Sequence, residues 1–150
     1  MEWSIVVAVI ATLGFVLGRQ KDEIQAKAEL AAVKYTLGSL RTALILDYMQ
    51  RTVRAGNGAP TSARQNPFDL LERKPANFQG EVSAAQASRA LAGSWVFDPA
   101  CPCVGYRPHY SPGFNSASGD DMAWFKLAGA PGPLELTARE SYVWQGTALR

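Results

Sequence analysis

The sequence has two cysteines, one histidine and almost no net charge, and each scarcity closes a class of function. A zinc site needs three or four His or Cys ligands, so Cys101-Pro102-Cys103 alone is a poor one. No metal or other cofactor is implied. A formal charge of +2 over 150 residues offers no electrostatic footing for nucleic acid. A Walker loop, a dinucleotide fingerprint and a Gly-x-Ser-x-Gly elbow are all missing, so the chain does not read as an enzyme. Proline is missing from residues 3–54. Long apolar runs are short here too: the uncharged run 3–17 gives about 22 Å of helix, against the ~20 residues of a free-standing membrane span.

What is present is one long helical pattern with two surfaces. Residues 1–18 form an apolar segment, greasy nearly all round. Residues 19–54 continue it as an amphipathic helix. Ala26, Leu30, Val33, Leu37, Leu40 and Leu44 recur at spacings of four and three, which is a single helical stripe. Lys27, Lys34 and Arg41 stand seven apart beside it. A coiled coil shares this spacing; the strand-rich region that follows favours a helix lying across a sheet. Ala55-Gly56-Asn57-Gly58-Ala59-Pro60 predicts the helix stop, and Arg51 and Arg54 suit the negative end of its dipole. From 19 to 54 the seven Lys/Arg outnumber the four Asp/Glu, a balance that suits anionic headgroups or simply a solvated face.

Three uses of the apolar segment compete. A secretory signal lacks support, because there is no basic start and no small-x-small cleavage site before Arg19. A short membrane anchor places Trp3 at one interface and Arg19 and Lys21 at the other. A helix that packs on copies of itself uses Gly14 and Gly18, a small-xxx-small pair on one face.

The remainder divides into a connecting region, 55–93, and a sheet region, 94–150. Asn66 and Pro67 read as the N-cap and first position of a short helix. Residues 76–81 read as an extended loop, and 83–91 as a loop or a weak turn of helix. Ser94–Asp98 and Cys103–Pro108 read as a hairpin around Pro99-Ala100-Cys101-Pro102. Residues 110–121 read as a polar exposed loop, 122–127 as a third strand, 129–133 as a turn and 134–143 as a fourth strand. The predicted class is α+β: a long N-terminal helix on a small antiparallel meander.

Few residues invite chemistry. Cys101 and Cys103 can form a local disulfide, remain free thiols or pair with another chain. No flanking base would activate either as a thiolate. His109 has no recognisable partner for acid–base work and reads as a loop histidine. Asp120-Asp121 lacks the oxygen spacing of a calcium loop. The loop 110–121 is the candidate contact surface by exposure.

The helix with Gly14, its amphipathic continuation and the sheet resemble the type IV pilin and type II secretion pseudopilin superfamily. Asn66-Pro67-Phe68-Asp69-Leu70-Leu71, Lys74-Pro75-Ala76-Asn77-Phe78-Gln79-Gly80-Glu81, Trp95-Val96-Phe97-Asp98-Pro99 and Val104-Gly105-Tyr106-Arg107-Pro108 look similar to minor, pilin-like members. The resemblance implies a non-enzymatic subunit or accessory protein that assembles through its N-terminal helix. It implies an inner-membrane resting place in a bacterium, a periplasmic domain, and incorporation into a filament. The implied partners are other pilin-like subunits, inner-membrane assembly proteins and the membrane. Glu2, Trp3, Gly14 and Gly18 are the implied anchor and assembly positions; Ala26 to Leu44 carry the domain. Counting from Met1, the chain departs from the family's basic leader and its fifth-position glutamate. Ile5 stands there, and Glu2, the nearby acid, is three residues early and could take the docking contact only from another register. The family's helix proline is also missing, so the helix is predicted to run unbroken. A membrane-anchored, partner-binding protein that never polymerises is the alternative, and a thiol oxidoreductase at Cys101 and Cys103 is a third.

Overall fold

The computed structural model describes residues 2–55, 65–129 and 132–150. Within the first helix the side chains described are 6–10, 12, 14, 15, 18 and 21–54. The class is α+β. Helix α1, Glu2–Ala55, is one uninterrupted element of 54 residues, about 80 Å long. With no proline inside it, every backbone bond can form. Its Thr36, Ser39, Thr42 and Thr52 hydroxyls bond the carbonyls four residues back, so they need no outside partner. The stop expected at 56–60 lies outside the described residues, as do Ala130 and Pro131 of the later turn.

A 3-10 helix follows at Pro67–Leu70. The Asn66 side chain accepts from the Phe68 amide at 3.1 Å, and Pro67 fills the first position. Strand β1 is Phe78–Glu81, a single helical turn α2 is Ala84–Ala87, and β2 is Ser94–Asp98. Then come β3 Cys103–Arg107, β4 Phe114–Ser116, β5 Ala123–Ala128, β6 Glu135–Ala138, β7 Tyr142–Trp144 and β8 Thr147–Leu149. Five strands form one sheet in the order β1-β2-β3-β5-β6, and β4-β7-β8 form a second.

The hairpin pairs Ser94 with Arg107 through Asp98 with Cys103, in antiparallel register. Tyr106 reaches Glu29 on α1. Trp95, Phe97, Val104 and Phe125 share its face by register and alternation, so this face meets the helix. Ala26, Leu30, Val33, Leu37, Leu40 and Leu44 are all buried. All but Ala26 join one core that runs from α1 to Leu149. On the opposite sheet face Trp124 lies over Gly105: a Cβ there would sit 2.6 Å from the Trp124 ring.

Four expectations need correction. The large sheet is mixed, not antiparallel, because 78–81 is a strand running parallel to β2. That segment is an edge with one large apolar residue and a Gly at φ +101°, so it carries little strand signal of its own. A contact distant in sequence holds it, with Phe78 stacked on Phe68 at 4.1 Å between ring centres. The strand expected over 134–143 is two strands in different sheets, divided at Arg139-Glu140-Ser141. The 110–121 loop contains β4, which pairs with β7. Finally, 147–149 is a strand that folds back on β7 through Gln145 and Gly146, both at positive φ (50° and 70°), the backbone of a two-residue hairpin turn.

Candidate functional site

The apolar half of α1 presents exposed hydrophobic side chains. Val7 and Ile10 are 63% and 64% exposed and Phe15 66%, and Val6 and Val9 are exposed too. At ~100° per residue these side chains point to every side of the rod. Gly14 and Gly18 are exposed, with nothing within 4 Å of the place a Cβ would take. Residues 14 and 18 thus leave room for close approach of another helix. Glu2 and Trp3 belong to the helix backbone, but their side chains lie outside the described residues. Among the described side chains of the helix, burial begins at Ala26.

The other half of α1 is clamped to the domain by polar contacts as well as by the apolar stripe. The Glu29 carboxylate accepts three bonds: from the Tyr106 hydroxyl at 2.6 Å and from the amides of His109 at 2.7 Å and Tyr110 at 2.8 Å. Tyr110 in turn accepts from the Trp144 indole at 3.1 Å, which links the clamp to the second sheet. Burial of Tyr106 pushes its hydroxyl well above the ordinary phenol range, and the hydrogen bond and charge of Glu29 push the same way. Farther along, the Arg41 guanidinium donates to the Leu136 carbonyl at 3.1 Å and to the Arg150 carbonyl. It therefore ties α1 to β6 and to Arg150. Arg51 pairs with Asp47 at 2.8 Å and donates to Gln65.

Nothing in the stripe's spacing distinguishes Glu29 from a solvated acid. The usable signal was that Glu29 stands one position before Leu30 in the stripe, at its margin. Its partners lie 77 to 81 residues away and could not be read from spacing.

Cys101 and Cys103 are bonded to each other. Cys103 is buried, and Cys101 lines a cleft of about 520 Å³ with Asp98, Asp120, Met122, Trp124 and Arg139. Asp98 accepts from the Ala100 amide at 2.9 Å, which fixes the turn before the cysteines. His109 packs edge-on against Tyr110 and gives its backbone amide, not its ring, to Glu29. Asp121 pairs with Arg107, and Asp120 caps its own turn by accepting from the Met122 amide. Among the described residues no group of three His, Cys, Asp or Glu side chains is placed to hold a metal ion. Also among them, no helix is long and apolar enough to cross a membrane.

Among the described residues, α1 is built into the domain from Ala26 to Leu44, and the side chains described before Lys21 are exposed. The chain matches no family model, no curated protein and no solved structure.

Proposed function

We propose that this chain is a pilin-like subunit or accessory protein of a type IV pilus or type II secretion-like machine. One observation carries this: a continuous helix whose second half is cemented to a domain, while Val6, Val7, Val9 and Ile10 in its first half are exposed. Such a surface is stable in lipid, and equally stable against other apolar helices. A subunit can therefore rest in a membrane and later move into a helical bundle without refolding. The partners in this account are other pilin-like subunits and inner-membrane assembly proteins. The domain stands in the periplasm, and the protein acts by packing and catalyses nothing.

Replacing Val7 and Ile10 together with Lys tests it. Both side chains are exposed, so the domain's melting temperature should not move. Charged residues in the middle of an apolar helix cost about 3 kcal/mol each at the centre of a membrane. The variant should therefore leave the membrane fraction and the filaments. Unchanged fractionation would refute the proposal.

The apolar segment serves equally in a second version, in which the protein is anchored, binds a partner and does not polymerise. The same variant would then lose the membrane, while the parent would never enter filaments.

A further inference from the structure

The second half of α1 also has a bare face, opposite the buried stripe. Ile24, Tyr35, Leu46, Met49 and Val53 lie along it, with Tyr35 79% and Val53 84% exposed. Between them stand Ala28, Ala31, Gly38 and Thr42, all exposed. Val6 and Ile24 are eighteen residues apart, which is five full turns, so this line continues onto the apolar half without a change of side.

Charge is sorted around the same axis. From 21 to 53 the helix has four carboxylates, Asp22, Glu23, Glu29 and Asp47. Glu29 is turned to the domain and bonded to Tyr106, and Asp47 is paired with Arg51. Lys21, Lys27 and Lys34 are exposed on the margins of the bare face. Lys27 reaches back to Glu23 at 2.7 Å, an exposed pair that a charged surface can compete with. The 3-10 helix adds Leu70 and Leu71 beside the face, and Asp47 and Glu72 line the same groove.

We infer that, before assembly, α1 lies along an anionic phospholipid surface on this face, with the domain held on the far side. The inference rests on the membrane-attached reading above. An apolar strip with lysine margins is the pattern that seats a helix in a headgroup layer. The uncharged run 3–17 is short for an upright span, whereas a reclining helix uses both halves. A second copy of the same face would instead bring lysine margins against lysine margins.

The test uses the full chain bound to phosphatidylglycerol or to phosphatidylcholine vesicles. Tyr35→Cys supplies one thiol for an environment-sensitive dye, and Thr137→Cys on the opposite sheet face is the control. On phosphatidylglycerol the dye at 35 should be shielded from iodide and the dye at 137 should not. Lys21→Gln, Lys27→Gln and Lys34→Gln together should lower the shielded-to-open ratio on the order of a hundredfold, about fivefold per lysine. Protein that floats with both vesicle types but is quenched equally at 35 would overturn the inference and leave the anchor standing. Shielding that follows protein concentration and ignores lipid charge would overturn it in favour of a second copy. Failure to float at all would overturn the anchored reading with it.

Discussion

Removing the Glu29 carboxylate should loosen the rod from its domain. Three donors meet it within 2.6 to 2.8 Å. The Tyr106 hydroxyl is the costly one, because Tyr106 is buried and loses its acceptor. An orphaned buried donor costs about 1–3 kcal/mol. The amides of His109 and Tyr110 lie nearer the surface and recover most of their loss by hydration, so Glu29→Ala should cost about 2–3 kcal/mol in all. For a chain of this size that is roughly 6–10 °C in melting temperature. Tyr106→Phe removes the donor with the acceptor still served by two amides, and should cost about 1 kcal/mol. The double variant should cost less than the sum by about 1–2 kcal/mol, because the orphan disappears. Urea denaturation of the four proteins supplies the cycle. Full additivity, or a Glu29→Ala protein as stable as its parent, would refute the account of the clamp.

Other outcomes follow from the same geometry. Tyr106 and Tyr142 both hold their protons more tightly folded than unfolded, chiefly through burial. Above the ordinary phenol value of about 10 the unfolded chain loses protons that the folded one keeps, so stability should fall as pH rises past that point. Urea midpoints across that range should fall less steeply in Tyr106→Phe. Gly105→Ala places a Cβ 2.6 Å from the Trp124 ring in a packed layer; it should cost about 1–3 kcal/mol, readable by thermal denaturation. Replacing Cys101 and Cys103 together with Ser opens a very short loop, worth about 1.5 kcal/mol by chain entropy. Assembly and membrane attachment in that variant should remain at the parent level. A loss of function without a loss of fold would point to thiol chemistry instead.

The parts of this fold legible in the sequence are those whose signal is periodic and local. The stripe from Ala26 to Leu44 has strict helical spacing, and each of its residues is buried. Asn66-Pro67 has cap chemistry in two adjacent residues. The 94–107 hairpin has two β-rich runs of equal length about a short turn. What escaped has its cause elsewhere in the chain. Phe78 belongs to a strand because Phe68 and Trp95 flank it, not because Phe-Gln-Gly-Glu prefers one. The run 134–144 alternates plausibly as one strand, yet Arg139-Glu140-Ser141 turns it between sheets. Gln145-Gly146 makes a tight hairpin without the usual Asn or Asp, and only its glycine pointed there. Glu29 looked like surface charge because its three donors come from 106–110.

The central proposal is that the apolar half of α1 seats this protein in a membrane and then in a filament. Shearing cells, separating released filaments from membranes and assaying the protein in each fraction tests it most directly. The N-terminal residue is sequenced in both. The account predicts protein in the membrane fraction of resting cells and in the filament fraction of cells that are assembling. Protein in neither fraction, free in the periplasm or the cytoplasm, would contradict it.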